Sequence, residues 1–315
     1  MCRKKYMLFF GLIALILGLA SGCEFPKTEK LKIFVSILPQ KFVVERIGRD
    51  KVEVFVMTGP GQNPATYEPL PQQMIALAKT EVYFRIGVPF EQAWMKKIQS
   101  INPGMKIIDT RKGIRLREMD SFREMLLKLE GKQEKCDEKY EDEHVEIRQA
   151  LHHGAKDPHI WLSPELVKIM AHNICNTIIE LDSDNQEYYT FNLNKLVKDL
   201  DRVSKEIEEA FSRVMVKKMM VFHPAWGYFA DRFGLIQIPI EIEGKEPGPR
   251  QLAKIIDFAR TENIRVIFVQ SQFSTKSAAA IAEEINGAVI TIDPLAEQYI
   301  DNLKNVATTI LNNIK

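Results

Sequence analysis

The stretch DNQEYYTFNLNKLVKDLDRVSKEIEEAFSRV at residues 184–214 decides the fold. Its apolar residues recur at helical spacing, which places them on one face of a helix. These residues are Leu193, Leu196, Leu200, Val203 and Ile207. Because each residue adds about 1.5 Å, a helix of about 30 residues runs roughly 45 Å, which exceeds the width of one small lobe. The stretch therefore predicts a long helix that joins two lobes.

Short β-rich runs alternate with helical patterns on both sides of this helix. Four runs precede it: LKIFVSI (31–37), VEVFVM (52–57), EVYFRIG (81–87) and MKIIDT (105–110). Four follow it: KKMMVFH (217–223), LIQIPIEI (235–242), RVIFVQ (265–270) and GAVITID (287–293). Helical patterns lie between the runs, at 71–79 and 91–100 and from near Pro249, Ser274 and Glu297. This alternation is the signature of βαβ units around a mostly parallel sheet.

The predicted fold class is therefore α/β, with two (β/α)4-type lobes whose parallel sheets are joined by one long rigid helix. We expect an N-terminal lobe at 31–182, the linker helix at 183–215, a C-terminal lobe at 216–315 and a ligand cleft between the lobes. The chain has 315 residues, of which 45% are hydrophobic and 27% charged, an ordinary globular profile with room for two domains. The formal net charge of +1 and the lack of a basic patch interleaved with aromatic residues argue against a nucleic-acid partner.

The N-terminus is predicted to be a targeting segment. A cationic stretch, MCRKKYM (1–7), precedes an apolar run of 13 residues, LFFGLIALILGLA (8–20), which is shorter than the ~20 residues of a spanning helix. The run ends in Ala-Ser-Gly-Cys, which resembles a bacterial lipobox. We expect a lipoprotein signal peptide at 1–22, lipidation of Cys23 as an anchor to the membrane, and a tether at 23–30. The alternative is an uncleaved anchor helix.

Residues 130–157 interrupt the alternation of strands and helices. This segment is acidic, has no sustained apolar period and contains three of the six histidines, His144, His152 and His153. We expect an exposed, mobile insertion. It also contains Cys136, which could pair with Cys175 outside the cytoplasm.

Three polar residues follow predicted strands or lie in a loop between elements. His223 closes VFH, Asp293 closes VITID, and His159 lies in DPHIW. Ligands of open α/β sheets bind beyond the carboxyl ends of the strands. Two imidazoles and a carboxylate suit Zn²⁺ or a similar divalent ion. The residues alone thus indicate a possible metal site between the lobes, although a lone histidine after a strand is more often a hydrogen-bonded structural residue.

Six motifs carry a resemblance to a known family. They are PGQNPATYEP (60–69), DPHIWLSP (157–164), FHPAWGYFADRFGL (222–235), EGKEPGPRQL (243–252), VIFVQSQFSTKSA (266–278) and TIDPL (291–295). In their order they resemble the metal-binding receptors of ABC-type zinc and manganese importers, the ZnuA-like or TroA-like lipoproteins, along nearly all of residues 31–315. The resemblance implies an extracytoplasmic, monomeric protein that catalyses no reaction. It would capture one metal ion in the cleft and deliver it to an ABC permease and its ATPase.

The family pattern also implies ligands. His159 matches the ligand of the D-P-H-x-W motif, and Asp293 matches an aspartate that some members use as a fourth ligand. His223 matches the third ligand, which is histidine in zinc-type members and glutamate in many manganese-type ones. The resemblance therefore favours Zn²⁺ as the transported ion, with Mn²⁺ second.

The first family ligand is absent from this chain. The family places a histidine in a P-x-x-N-P-H-x-Y-E-P loop, and this chain has Ala65 there. Water could complete the site, His152 or His153 could fill it, or the protein could carry a different ligand. Glu68 is a further accessory candidate, which we expect to orient the loop or an imidazole. Together with His144, the other two histidines of the insertion could gather metal, or the insertion could be a solvated acidic loop.

A metal-dependent hydrolase is the alternative from another functional class. Three protein ligands and one water are the usual pattern of catalytic zinc. However, no general base stands beside His159 or His223 in the sequence, and there is no H-E-x-x-H motif. We therefore expect a binding protein, and a surface adhesion role could coexist with transport.

Overall fold

The computed structural model describes residues 29–122, 156–215, 217–241, 245–273 and 276–314. The predicted signal peptide, Cys23, Cys136, and three histidines of the insertion (His144, His152 and His153) lie outside the described residues. Leu31–Lys315 form one compact unit. Within the described residues, no helix is long and apolar enough to cross a membrane.

The first sheet has four parallel strands in the order β2-β1-β3-β4. They are β1 (Leu31–Ile37), β2 (Val52–Thr58), β3 (Val82–Arg85) and β4 (Lys106–Asp109). The helices between them are α1 (Leu38–Gly48), α2 (Pro71–Leu77) and α3 (Pro89–Ile101). All four strands fall inside or within one residue of the predicted runs. The helix α1, which follows β1 directly, was not predicted from the sequence.

The second sheet repeats this pattern, with parallel strands in the order β6-β5-β7-β8. They are β5 (Lys218–Val221), β6 (Ile236–Pro239), β7 (Val266–Val269) and β8 (Ala288–Thr291). The accompanying helices are α6 (Gly227–Phe233), α7 (Pro249–Thr261), α8 (Lys276–Glu284) and α9 (Tyr299–Asn313). The second sheet confirms the predicted α/β lobe, and α9 begins two residues after its predicted start.

Among the described residues between the two sheets, the chain forms two α-helices, α4 (Pro164–Leu181) and α5 (Gln186–Phe211). With 26 residues, α5 is the long helix that the sequence predicts, and it runs about 39 Å. The five apolar residues of its predicted face are all buried. This face packs against α4, α1 and α9, so α5 contacts helices from both ends of the chain.

The strands are mostly apolar, as is typical of parallel strands whose two faces are covered. Ile33, Phe34 and Val35 of β1 are consecutive and fully buried. A second core, which includes Met220, Ile238 and Ile267, lies around the second sheet. In each sheet the strand order reverses beside the first strand, which creates a crevice at the carboxyl ends of the strands.

The thiol of Cys175 provides a test of this packing. It is a free thiol buried on α4, and burial raises its pKa to about 11. At pH 8 only about one thiol in a thousand would then be ionised, and the thiolate is the reactive form. We expect Cys175 to resist iodoacetamide in the folded protein and to react readily in urea, as measured by mass spectrometry of its peptide. Equal labelling with and without urea would contradict the burial of the Cys175 side chain on α4.

Candidate metal site

His159 precedes α4, and a buried carboxylate holds it. Asp157 Oδ1 accepts the backbone N–H of His159 at 2.9 Å and lies 2.7 Å from its Nδ1. A carboxylate accepts only, so Nδ1 carries the proton and Nε2 has the lone pair that binds a metal. Burial lowers the pKa of His159, against the opposing charge of Asp157, so the ring is neutral at neutral pH.

His223 follows β5 and has a similar partner. Its Nδ1 lies 2.9 Å from Glu241 Oε2, and Glu241 is buried. Glu241 follows β6, which pairs with β5, and its backbone N–H donates to Phe222 O at 2.9 Å. The ring of Phe273 stacks on the imidazole with centroids 4.9 Å apart. His223 is thus also oriented with Nε2 as its ligating atom.

The two imidazoles are neighbours in an edge-to-face arrangement. Their ring centroids are 5.3 Å apart and their planes meet at 72°. Two imidazoles on one tetrahedral ion, with Zn–N distances of about 2.0–2.1 Å, have centroids about 5 Å apart. The observed spacing therefore fits a pair of histidines that share one ion.

Asp293 follows β8 and lies beside the same crevice. Its Oδ1 accepts the backbone N–H of Leu295 at 2.8 Å and the Gln272 amide at 3.2 Å. Within the described part of the chain, no three His, Cys, Asp or Glu side chains are grouped closely enough to hold a metal ion. The structure thus brings His159 and His223 together but does not close Asp293 onto them.

Two hydrogen bonds tie the segment of His159 to the segment of Asp293. Trp161 Nε1 donates to Pro294 O at 2.8 Å, and the hydroxyl of Tyr299 donates to Trp161 O at 2.7 Å. Trp161 is 1% exposed and Tyr299 is 3% exposed, so solvent competes little for these bonds. The two segments are therefore held in fixed relation by residues that are not candidate ligands.

The loop that contains Ala65 keeps its shape through other residues. Gly59 N–H donates to Gln62 Oε1 at 2.7 Å, and Ala65 N–H donates to Asn63 Oδ1 at 2.9 Å. The hydroxyl of Tyr67 donates to Gln73, whose amide in turn donates to the carbonyls of β2. Gln62 and Tyr67 thus hold the loop, as part of its internal hydrogen bonding. The side chains of Ala65 and Glu68 are exposed.

Asp157 corrects one expectation from the sequence. It was placed at the end of an exposed insertion, yet it is fully buried. Its carboxylate lies 3.5 Å from Arg117 Nη1, and its carbonyl accepts the hydroxyl of Tyr228 at 3.0 Å. Lys156 forms an antiparallel bridge with Glu118, so this segment is paired before it reaches His159. The cation of Arg117 helps to stabilise a carboxylate that is removed from water.

The sequence analysis missed Asp157 and Glu241 as partners of the histidines. A signal for Glu241 exists, since it is an acid inside the apolar run LIQIPIEI (235–242) that the sequence predicts to be a strand. Recognising it required the knowledge that β6 lies beside β5. His172 is exposed on α4, with its Nδ1 2.7 Å from Lys168 O.

Two α/β sheets, a long helix and a histidine pair beside the strand ends are the features of a substrate-binding protein with a candidate metal site. A family model described as "Zinc-uptake complex component A periplasmic" matches residues 33–313. The chain belongs to this family, the ZnuA family, which comprises binding components of metal importers and not enzymes.

Individual relatives agree with this assignment. The chain is 27% identical over 322 residues to the high-affinity zinc uptake system protein ZnuA of Bacillus subtilis, covering 96% of this chain and 95% of that protein. It is 25% identical over 304 residues to the manganese ABC transporter substrate-binding lipoprotein PsaA of Streptococcus pneumoniae, covering 93% and 90% of the two chains. A crystal structure of ZnuA superimposes with a TM-score of 0.78 at 40% identity, covering 91% of this chain and 100% of that chain.

The buried carboxylates give a first prediction for the site. Asp157→Asn and Glu241→Gln keep the shape of each side chain but weaken the control of the imidazole tautomer. We expect each change to lower Zn²⁺ affinity by about 10–100-fold in calorimetric titration, because partners of ligating histidines have effects of this size. Asp184→Asn, on an exposed residue, serves as the control. Unchanged affinity in both site variants would rule out this role for the carboxylates.

Gly227 gives a second prediction. A Cβ added there would lie 1.3 Å from Arg117 Nη1 and 3.1 Å from Asp157 Oδ2. Gly227→Ala must therefore displace the guanidinium of Arg117 from its present position beside Asp157, and we expect a loss of ~1–3 kcal/mol in unfolding free energy measured with urea. In Gly104→Ala the added Cβ would meet Asn102 Oδ1 at 3.6 Å, an ordinary contact, so this control should unfold like the wild type. Equal stability of the two variants would contradict the packing of Arg117.

Proposed function

We propose that this protein captures a divalent metal ion outside the cytoplasm and delivers it to an ABC permease that an ATPase drives. The observation that carries the proposal is the pair of neighbouring imidazoles, each held through Nδ1 by a buried carboxylate. This arrangement leaves the two Nε2 atoms to bind one ion, which is the cargo of the protein. His159, His223 and Asp293 are the proposed ligands.

The proposed cargo is Zn²⁺ before Mn²⁺. Two imidazoles form a donor set of intermediate softness, which suits Zn²⁺ better than an ion that prefers oxygen. The names of two relatives support both ions as candidates. One relative is a zinc uptake protein, and the other belongs to a manganese transporter. A solved ZnuA deletion mutant with zinc bound superimposes with a TM-score of 0.79 at 39% identity.

Ala65 gives this site one protein ligand fewer than the family pattern. We propose that water takes the vacant position, with His152 or His153 as the alternative, and that His144 and Glu68 are accessory residues. None of these substitutes is needed to hold the two imidazoles in place, because Asp157 and Glu241 do so. A metal ion can therefore still bind, with weaker affinity than a complete site would give.

The location and division of the chain are part of the proposal. The family is periplasmic, and the N-terminal sequence supports a lipid anchor at Cys23 after removal of residues 1–22. We assign residues 31–182 to an N-terminal lobe, 183–215 to the linker and 216–315 to a C-terminal lobe of a monomeric protein. A hydrolase function has no support, since the family consists of binding components.

Titration of the protein with Zn²⁺ and Mn²⁺ tests the function. We expect the wild type to bind one ion per chain, and His159→Ala or His223→Ala to lose about 100-fold or more in affinity, because each removes a ligand. Ala65→His should bind more tightly than the wild type by about tenfold. His172→Ala is the matched control, since this histidine lies on the exposed surface of α4.

The failure of this proposal would be clear in the same titration. A wild-type protein that binds neither ion at micromolar concentration, with binding restored in Ala65→His, would mean that the chain no longer transports a metal. Two further variants, His152→Ala and His153→Ala, distinguish a site completed by a histidine of the insertion from a site completed by water. Affinity falls in these variants only if a histidine of the insertion is a ligand.

A further inference from the structure

Unsatisfied polar atoms mark the edge of the crevice. Among the described residues, five buried side-chain atoms have no hydrogen-bond partner: Thr58 Oγ1, Arg85 Nε, Asp157 Oδ2, Gln270 Nε2 and Gln272 Oε1. Four of these residues end a strand or follow one, and the fifth orients His159. Buried polar atoms in native proteins nearly always have a partner, so each exception indicates a water, an ion or a functional role.

Gln272 lies between two candidate ligands. It follows β7, and β7 lies between β5, which leads to His223, and β8, which leads to Asp293. Its Nε2 donates to Asp293 Oδ1 at 3.2 Å. The next residue, Phe273, stacks on His223 with ring centroids 4.9 Å apart. Two consecutive residues therefore contact the two candidate ligands of the second sheet.

The chemistry of Asp293 fixes the orientation of the Gln272 amide. The carboxylate accepts hydrogen bonds only, so the NH₂ group must face it and Oε1 must point elsewhere. An amide flip would set two acceptor oxygens against each other. Oε1 is therefore a buried acceptor, and no donor among the described residues meets it.

We propose that Gln272 Oε1 is a ligand of the metal ion bound by His159, His223 and Asp293, in place of the side chain that Ala65 lacks. Amide oxygens are ordinary ligands of divalent cations, and a cation would satisfy this buried acceptor. The inference rests on the proposed function and refines it, because it names the fourth donor. Two nitrogens and two oxygens form a harder site than three imidazoles and one carboxylate. Gln272 thus reduces the difference between the Zn²⁺ affinity and the Mn²⁺ affinity of the site.

Two substitutions at Gln272 test this ligand in the full-length protein. Gln272→Met has a similar length without the oxygen, and Gln272→Glu replaces the amide oxygen with a charged one. Zn²⁺ and Mn²⁺ affinities are measured by titration, and Co²⁺ is used as a spectroscopic probe because its visible absorption depends on the ligand set. Gln72→Met is the matched control, since Gln72 is an exposed residue of α2.

We expect Gln272→Met to lower Mn²⁺ affinity by about 10–100-fold and Zn²⁺ affinity by less, so that the preference for Zn²⁺ rises. Its Co²⁺ spectrum should differ from that of the wild type. Gln272→Glu should bind both ions at least as tightly as the wild type, which also shows that the position tolerates substitution. Gln72→Met should match the wild type in every measurement.

Two results would overturn the inference, and they differ from failure of the function. If the wild type binds metal and Gln272→Met has the same affinities and the same Co²⁺ spectrum, Gln272 is no ligand and the proposed function stands. If Gln272→Glu binds no more tightly than Gln272→Met, the position carries no donor, and water or a histidine of the insertion completes the site. If the wild type binds none of the three ions, the proposed function fails and this inference fails with it.

Discussion

The structure of the site depends on two buried carboxylates that hold two imidazoles. Asp157 and Glu241 are 0% and 4% exposed, and a carboxylate so removed from water needs strong hydrogen bonds. Each obtains one from the Nδ1–H of a histidine. The same hydrogen bonds fix the tautomer and the direction of the rings. One arrangement therefore gives each buried carboxylate its hydrogen bond and leaves each Nε2 atom available to bind a metal ion.

The surrounding fold maintains this arrangement without help from the candidate ligands. Parallel pairing of β6 with β5 sets Glu241 beside His223. Arg117 lies beside the carboxylate of Asp157, and the space for its guanidinium exists because residue 227 has no Cβ. The bonds of Trp161 and Tyr299 join the segments of His159 and Asp293. The imidazole pair is therefore preorganised, which reduces the ordering that binding would require.

The loop around Ala65 shows how a ligand can be absent while the fold is retained. The hydrogen bonds of this loop come from the side chains of Gln62, Asn63, Tyr67 and Gln73, and from backbone groups. A methyl group at residue 65 disturbs none of them. The residues around Ala65 thus maintain the loop structure without any contribution from a metal-ligating side chain at this position.

The sequence by itself determined the local structure and the candidate ligands. The strands lie inside or within one residue of their predicted runs, and the apolar face of α5 is buried as predicted, because hydrophobic period is a local property of the chain. The motifs singled out His159, His223 and Asp293. Only the tertiary structure decided that Glu241 supports His223 and that Gln272 contacts Asp293. Those pairs are 18 and 21 residues apart, and sheet order, which local patterns do not encode, brings them together.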